Sequence, residues 1–325
     1  MHYSMLDYFQ FHVTAKPTDT FLIEGDVARS YLEIDQLSDA LLNDLNKMGL
    51  KAGDRTALLA KNSIDLVIAI IASIKSGQVF IPINYRLSPP EIEYILKDSQ
   101  ARSLIVSDDF ISKELSNLCA DLEINHYHLN HTKLTQSQPV KPVKQQSCED
   151  FCQMYTSGTT GHPKGVVNGH RQIFELVVVN ELMPPKGDVE KPSLLLMPIF
   201  HAVGLGQLFI NIVTGKPTVI LPDFDPVEAL ALIDRHQIQD TIVVPIMLKV
   251  FVDILSAGPL YNVSSLNKIV YGGSPIDSQL LEKAMAVFQA DFLQGYGMTE
   301  LSGGAIFLTA EDHKKAIAGK VHILK

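Results

Sequence analysis

The sequence predicts an α/β protein built as two βα-alternating lobes with largely parallel sheets. Three observations carry that expectation. Strand-like and helix-like segments alternate from residue 33 to 106, the alternation stops over 134–149, and it resumes from 151 to 293. Strands that alternate with helices at this spacing need crossover connections and therefore pair in parallel. The lobes are expected to divide near residue 145, giving residues 1–145 and 146–325.

The elements follow in order. In 33–48, Ile34, Leu37, Ser38, Leu41, Leu42, Leu45 and Met48 recur with a 3.6-residue period, so the segment reads as an amphipathic helix. Gly49 stands where a left-handed residue commonly closes a helix. A strand is expected at 55–60. Asn62 or Ser63 then caps a helix through Ser76, closed by Gly77. A second strand follows at 79–83. Ser88-Pro89-Pro90-Glu91 reads as cap, first-turn proline and acidic first turn of a helix to Asp98. The strand 103–106 completes the first lobe. The stretch 134–149, with Pro139, Pro142 and several Gln and Ser, has the composition of a connector. Beyond it, strands are expected at 151–155, 194–197, 218–221, 241–244, 268–271 and 292–293. Helices are expected from about His170 and at 203–213, 226–236, 246–255 and 278–288. No internal repeat is visible.

Composition narrows the function classes. Of 325 residues, 46% are hydrophobic and 27 basic side chains face 36 acidic ones, a net charge of −9. That balance argues against a nucleic-acid surface built on broad positive charge, while leaving room for a local basic phosphate site. High apolar content argues against disorder. Cys119, Cys148 and Cys152 are odd in number and lack zinc-ribbon spacing, which suggests free thiols in a reducing compartment. The N-terminus has no signal-peptide pattern. The longest apolar stretch, 64–74, contains Asp65 and falls short of the ~20 residues a spanning helix needs. A soluble, cytoplasmic protein is expected, and homo-oligomerisation is left open.

The sharpest chemical segment is Tyr-Thr-Ser-Gly-Thr-Thr-Gly-His-Pro-Lys-Gly-Val-Val at 155–167. Gly158, Gly161 and Gly165 permit positive φ and let amide hydrogens converge on an anion. Thr156, Ser157, Thr159 and Thr160 add hydroxyl donors, and Lys164 adds a point charge. The segment is not a Walker A loop, because Pro163 precedes the lysine and Gly165 follows it. Phosphate binding is favoured over a merely flexible turn. Two further glycine segments stand at predicted strand ends, Gly272-Gly273-Ser274 and Gly295-Tyr296-Gly297-Met298-Thr299-Glu300. In open α/β sheets ligands bind beyond the carboxyl ends of strands, so the three loops are expected to line one crevice. Tyr296 offers a flat face to a base, Thr299 a phosphate donor, and Glu300 a hard oxygen ligand for Mg²⁺. The third glycine of a dinucleotide fingerprint is missing, which weakens an NAD reading. His126, His128 and His131 have no nearby Cys or carboxylate and read as a solvated strand and turn rather than a metal site. No Gly-x-Ser-x-Gly elbow supports a serine hydrolase.

Taken in order, the segments YTSGTTGHPKG, MPIFHAVGL, YGGSPI and QGYGMTE resemble the adenylate-forming superfamily of acyl- and aryl-CoA synthetases, luciferases and nonribosomal adenylation domains. Asn84-Tyr85-Arg86-Leu87-Ser88-Pro89 resembles a further family segment, and the likeness runs from about residue 20 to about residue 320. The resemblance implies a reaction in which ATP and a carboxylic acid give an acyl-adenylate, which coenzyme A then cleaves. It implies that Thr156, Ser157, Gly158, Thr159, Thr160, Gly161 and Lys164 hold the β- and γ-phosphates. Gly272, Gly273 and Ser274 would line the adenine pocket beside Gly295, Tyr296 and Gly297, with Tyr296 stacking on the base. Thr299 would meet the α-phosphate, Glu300 the Mg²⁺, and His201 the acyl carboxylate.

Amino-acid-activating relatives carry an aspartate where this sequence has His201, so a neutral-tailed acid is expected. Ala202, Val203, Gly204, Leu205 and Gly206 suit an apolar tail. A fatty acid is favoured over a coumarate-like aryl acid because Ser302, Gly303 and Gly304 leave space. A nucleotide-binding protein without turnover is the alternative from another class. The family continues into a ribose-binding Asp, a hinge and a small domain with a late catalytic lysine. None of these is recognised before Lys325, so the chain is expected to be an N-terminal portion, poor in full turnover.

Overall fold

The computed structural model describes residues 4–134, 140, 142, 150–157, 161–182, 190–258 and 260–317. In chain order the elements are α1 (Met5–Ala15), β1 (Thr20–Glu24), β2 (Val27–Ser30), α2 (Tyr31–Lys47), β3 (Arg55–Leu59), α3 (Ile64–Ser76), β4 (Val79–Pro82), α4 (Pro89–Asp98), β5 (Ser103–Ser107), α5 (Lys113–Asp121) and β6 (Asn125–Leu129). There follow β7 (Asp150–Thr156), β8 (Lys164–Gly169), α6 (His170–Leu182), β9 (Ser193–Leu195), α7 (Ala202–Thr214), β10 (Thr218–Ile220), α8 (Pro226–His236), β11 (Asp240–Val243) and α9 (Pro245–Ala257). The last are β12 (Lys268–Gly272), α10 (Ser278–Phe288), β13 (Asp291–Met298), β14 (Gly303–Leu308) and α11 (Ala310–Ile317).

Local chemistry sets the helix ends. Ser30 and Glu33 form a reciprocal capping box at the start of α2. The Ser63 hydroxyl accepts from the Leu66 amide at the start of α3, and Gly77 closes that helix at φ +71°. Asp225 and Asp277 cap α8 and α10 through two backbone amides each, with Pro226 in the first turn of α8. All but one residue of α3 are buried, as an all-round apolar helix inside a large protein should be.

Among the described residues the strands form an eight-stranded sheet, β14-β13-β12-β11-β9-β10-β1-β2, and a six-stranded sheet, β6-β5-β3-β4-β7-β8. Pairing is parallel except for β1–β2, β7–β8 and β13–β14. One apolar cluster joins the two sheets, from Leu22, Leu195 and Ile220 to Leu58, Phe80 and Ile105, through α1, α2, α3, α6 and α7. A second cluster packs α8, α9 and α10 on the outer face of the larger sheet, and a third packs α4 and α5 on the smaller one. The result is a layered α/β architecture with two largely parallel sheets. No helix among the described residues is long and apolar enough to cross a membrane.

The sheets do not divide at residue 145. β1 runs parallel to β10, with Leu22 opposite Thr218, so the N-terminal hairpin completes the sheet formed by the second half of the chain. Conversely β7 and β8 belong to the six-stranded sheet. Alternation along the sequence identifies neighbours in the chain, whereas packing decides neighbours in space. Phe151 stacks edge-on to Phe80 at 5.3 Å, and Arg55 donates to Gln153 at 3.0 Å, drawing β7 into the first sheet. The segment read as a solvated strand and turn is β6, paired in parallel with β5, and His131 beyond it bonds Asp65. β13 is also longer than expected and carries Gly295-Tyr296-Gly297 within the strand. Cys119 and Cys152 are free and buried, while Cys148 lies outside the described residues.

Lys75 on α3 is 1% exposed, and its ammonium lies 2.7 Å from both Asp35 and Asp39 of α2 while donating to the Asp35 carbonyl at 2.9 Å. All three of its N–H donors are used. Removing one carboxylate leaves a buried charge short of a partner, a change that costs ~3–5 kcal/mol when no other partner remains. Asp39→Ala should therefore lower unfolding free energy by about 3 kcal/mol in urea titration, since Asp35 keeps its contact, and adding Lys75→Met should recover much of the loss.

Candidate active site

A cavity of about 430 Å³ opens at the carboxyl ends of β11, β12 and β13, where α7 and the β13–β14 hairpin converge. Glycine makes this wall. Gly272 lies opposite Gly295, and a Cβ on Gly272 would collide with the Gly295 carbonyl. A Cβ on Gly297 would collide with the Gly303 carbonyl, and Gly273 holds φ +80°, which glycine adopts without strain. Bare backbone therefore faces the cavity from two strands.

His201 caps the N-terminus of α7 and lines the cavity. The segment leading to it is fixed by Asn62, 3% exposed, whose side chain donates to the Met197 carbonyl at 3.0 Å and accepts from the Ile199 amide at 2.8 Å. Gly204 sits against the Met197 and Pro198 carbonyls, so the first turn of α7 packs directly on that segment. His201 is accessible from the crevice, yet the protein crowded around its imidazole, and secondarily Arg86, hold its pKa below the ordinary histidine value. The imidazole is neutral at pH 7.

Nearby, Asp223 clasps the β3–α3 and β4–α4 loops of the six-stranded sheet. Lys61 lies 2.6 Å away, the Tyr85 hydroxyl donates at 2.5 Å, and Arg86 lies at 3.7 Å. Lys61 first and Tyr85 second hold the Asp223 carboxyl below its usual range. Tyr85 also meets Phe200 edge-on at 5.5 Å, next to His201.

The structure brings His201, Gly272, Gly273, Gly295, Gly297 and Thr299 into one cavity wall. Ser274, Tyr296 and Glu300 are exposed outside that lining, Tyr296 with 64% of its surface free. Thr156 and Lys164 pair across β7 and β8, which are antiparallel neighbours at one edge of the six-stranded sheet. Ser157 and Gly161 lie between these strands in the chain, and Gly158, Thr159 and Thr160 lie outside the described residues. This strand pair is tied to the turn carrying Thr299 and Glu300 through Ser302, whose hydroxyl donates to Asn168 at 2.7 Å. Sequence reasoning offered Asn62 only as a possible cap of α3, which Ser63 supplies instead, and missed Asn168 in β8 and Gln207 in α7, buried amides with no motif to mark them.

Among the described residues no three His, Cys, Asp or Glu side chains converge as a metal site. One free-standing carboxylate, Glu300, next to Thr299, suits Mg²⁺, which takes one or two carboxylates and fills its shell with water and phosphate oxygens.

A crevice at the carboxyl ends of parallel strands, walled by bare backbone and flanked by a hydroxyl-rich hairpin with a lysine, defines a nucleotide-type α/β binding protein. Within that class the chain belongs to the AMP-binding enzyme family, whose model matches residues 9–323. A fatty acid–[acyl-carrier-protein] ligase, ScoC of Streptomyces coeruleorubidus, is 32% identical over 322 residues, covering 93% of this chain and 60% of its own length. A feruloyl-CoA synthase of an Amycolatopsis species is 31% identical over 297 residues, covering 90% and 58%. The o-succinylbenzoate CoA synthetase of Bacillus subtilis in complex with ATP and magnesium superposes with a TM-score of 0.84 at 25% identity, over 95% of this chain and 63% of that one. The N-terminal domain of FACL13 from Mycobacterium tuberculosis shares the fold, with a TM-score of 0.85 at 24% identity over 97% and 81%. The chain spans about 60% of the length of the curated relatives it matches.

Two outcomes follow. Asn62→Ala leaves the Met197 carbonyl and Ile199 amide unpaired, at about 1–3 kcal/mol for each buried group, and should lower the urea midpoint accordingly. Burial also depresses His12, His126, His236 and His313. With His201 they resist protonation in the folded chain, while the unfolded chain takes up protons near its ordinary histidine pKa of about 6.5. Stability should thus fall as pH drops below about 6.5, and His201→Gln should reduce that slope by up to one proton's worth in urea titrations at stepped pH.

Proposed function

We propose that this chain carries the nucleotide and acid sites of an AMP-forming acid–CoA ligase that activates a fatty acid. The observation that supports this reading most is one wall holding residues of three separate motifs: His201, the Gly272-Gly273 turn, and the Gly295 to Thr299 strand end. Their chemistries complement an acid placed against a nucleotide.

In the proposed reaction a carboxylate oxygen of the acid attacks the α-phosphorus of ATP. An O–P bond forms as the bond to pyrophosphate breaks, and pyrophosphate leaves. The sulfur of coenzyme A then attacks the acyl carbonyl, a thioester forms, and AMP departs as the thiol proton is released. The amides and hydroxyls around Thr156, Ser157 and Gly161, together with Lys164, hold the β- and γ-phosphates. Gly272, Gly273, Ser274 and Tyr296 accommodate adenine, and Thr299 donates to the α-phosphate. Glu300 would hold Mg²⁺, which would supply neutralisation of phosphate charge. The acid's carboxylate sits at the amino end of α7, where free backbone amides and the helix dipole favour an anion. His201, neutral there, offers one N–H without a fixed positive charge competing for the nucleophile. Positioning supplies most of such a rate enhancement, because an in-line displacement asks little covalent chemistry of the protein.

Calorimetry and thermal shift test the reading. ATP, AMP and a non-hydrolysable acyl-sulfamoyl adenosine should each bind, the last stabilising the chain by about 2.7 kcal/mol at one hundred times its dissociation constant. Lys164→Ala should weaken ATP about tenfold or more and leave AMP nearly unchanged, because only ATP carries the phosphates it contacts, whereas Thr299→Val should weaken both. Failure of all three ligands to bind would sink the proposal. ATP–pyrophosphate exchange driven by a fatty acid separates turnover from nucleotide binding alone.

A further inference from the structure

One buried side chain in the cavity wall has a use left over. Gln207 lies on α7, in the face formed with Val203, Gly206 and Ile210, and it lines the cavity while being only 3% exposed. Its amide nitrogen donates to the Ser193 hydroxyl and to the Leu194 carbonyl, both at 3.0 Å. A carbonyl only accepts, so the atom facing Leu194 is the NH₂ group and the amide orientation is settled. Both N–H donors are spent. Oε1 is buried with no hydrogen-bond partner among the described residues. Leaving an acceptor so buried and unpaired is unfavourable, and the cost is removed when a ligand brings a donor. Val203, Ile210 and Met197, which line the same cavity, are apolar and offer none.

We infer that the acid activated at this site carries a hydrogen-bond donor, a hydroxyl or an N–H, on its otherwise apolar tail, and that Gln207 recognises it. The inference rests on the acid-ligase reading above, which places the carboxylate at the amino end of α7. From the cap, His201, to Gln207 is six residues, about 9 Å along the helix axis. That is the span of a phenol ring carried on a short unsaturated linker, or of a medium-length aliphatic chain ending in a hydroxyl. Either source supplies the same donor at the same depth. A purely alkyl acid would cover the amide with hydrocarbon and fix the unpaired acceptor in place, so the pocket discriminates against it.

The test compares acyl-sulfamoyl adenosines in matched pairs, para-coumaroyl against cinnamoyl and ω-hydroxyoctanoyl against octanoyl, by calorimetric dissociation constants on the intact chain. At least one hydroxylated member should bind about 10-fold to 100-fold more tightly than its deoxy partner. Which pair shows the preference tells an aryl tail from an aliphatic one. In Gln207→Met, checked for folding by its thermal transition, the ratio should fall to about one. The wild-type comparison stands even if that variant does not fold. Equal affinities within both pairs, as when a trapped water already satisfies Oε1, overturn the inference and leave the ligase reading intact. A preference that survives in folded Gln207→Met also overturns it. Binding of none of the four overturns both.

Discussion

Between β12 and β13 the main chains approach so closely at Gly272 and Gly295 that no side chain fits on Gly272. Gly297 repeats the constraint against Gly303 of β14. The rest of the site depends on these contacts. An alanine at either position would push the strands apart and close the space they leave beyond their ends. With no side chain in the way, amides and carbonyls themselves face the crevice, and a flat or anionic ligand can come to hydrogen-bonding range of them. Beyond these contacts, where the β13–β14 register shifts between Tyr296 and Gly297, the chain delivers Thr299 to the rim and turns through Ser302, which adopts φ +62°.

Three tethers fix the surrounding pieces to this wall. Asn62 reaches from the first sheet to the strand end before His201, Asp223 gathers Lys61, Tyr85 and Arg86 from the first half of the chain, and Ser302 joins the hydroxyl-rich hairpin through Asn168. Each joins segments more than a hundred residues apart in the chain. Their hydrogen bonds are modest singly, about 1 kcal/mol net, but the buried members cannot be lost without stranding their partners. Position rather than stability is what they contribute most.

Much of this was legible in the sequence. Alternating periodicities located most of the helices within a few residues, because caps such as Ser63, Ser88 and Asp225 and stops such as Gly77 are local chemistry. The three glycine segments were readable for the same reason: glycine and hydroxyl residues at a turn announce what the backbone must do there. What stayed hidden was non-local. Nothing in Phe21-Leu22-Ile23 says that its partner is β10, and nothing in Tyr155 to Gly165 says that the segment folds back as a hairpin on the opposite sheet from the cavity's strands. Asn62 and Gln207 look like ordinary polar residues until their neighbours in space are known.

The N-terminal hairpin also sets a timetable for synthesis. Leu22 finds Thr218 as its partner only after about two hundred further residues have been made. At roughly 5–20 residues per second the ribosome takes on the order of 10–40 s to cover that interval. Throughout it, Phe21 and Leu22, fully buried at the end, belong to a strand that has β2 on one side while its other neighbour does not yet exist. An apolar strand with an open edge is the feature that chaperones bind and that other nascent chains pair with. For this protein, shelter for Phe21 and Leu22 waits on a strand about two hundred residues further along the chain.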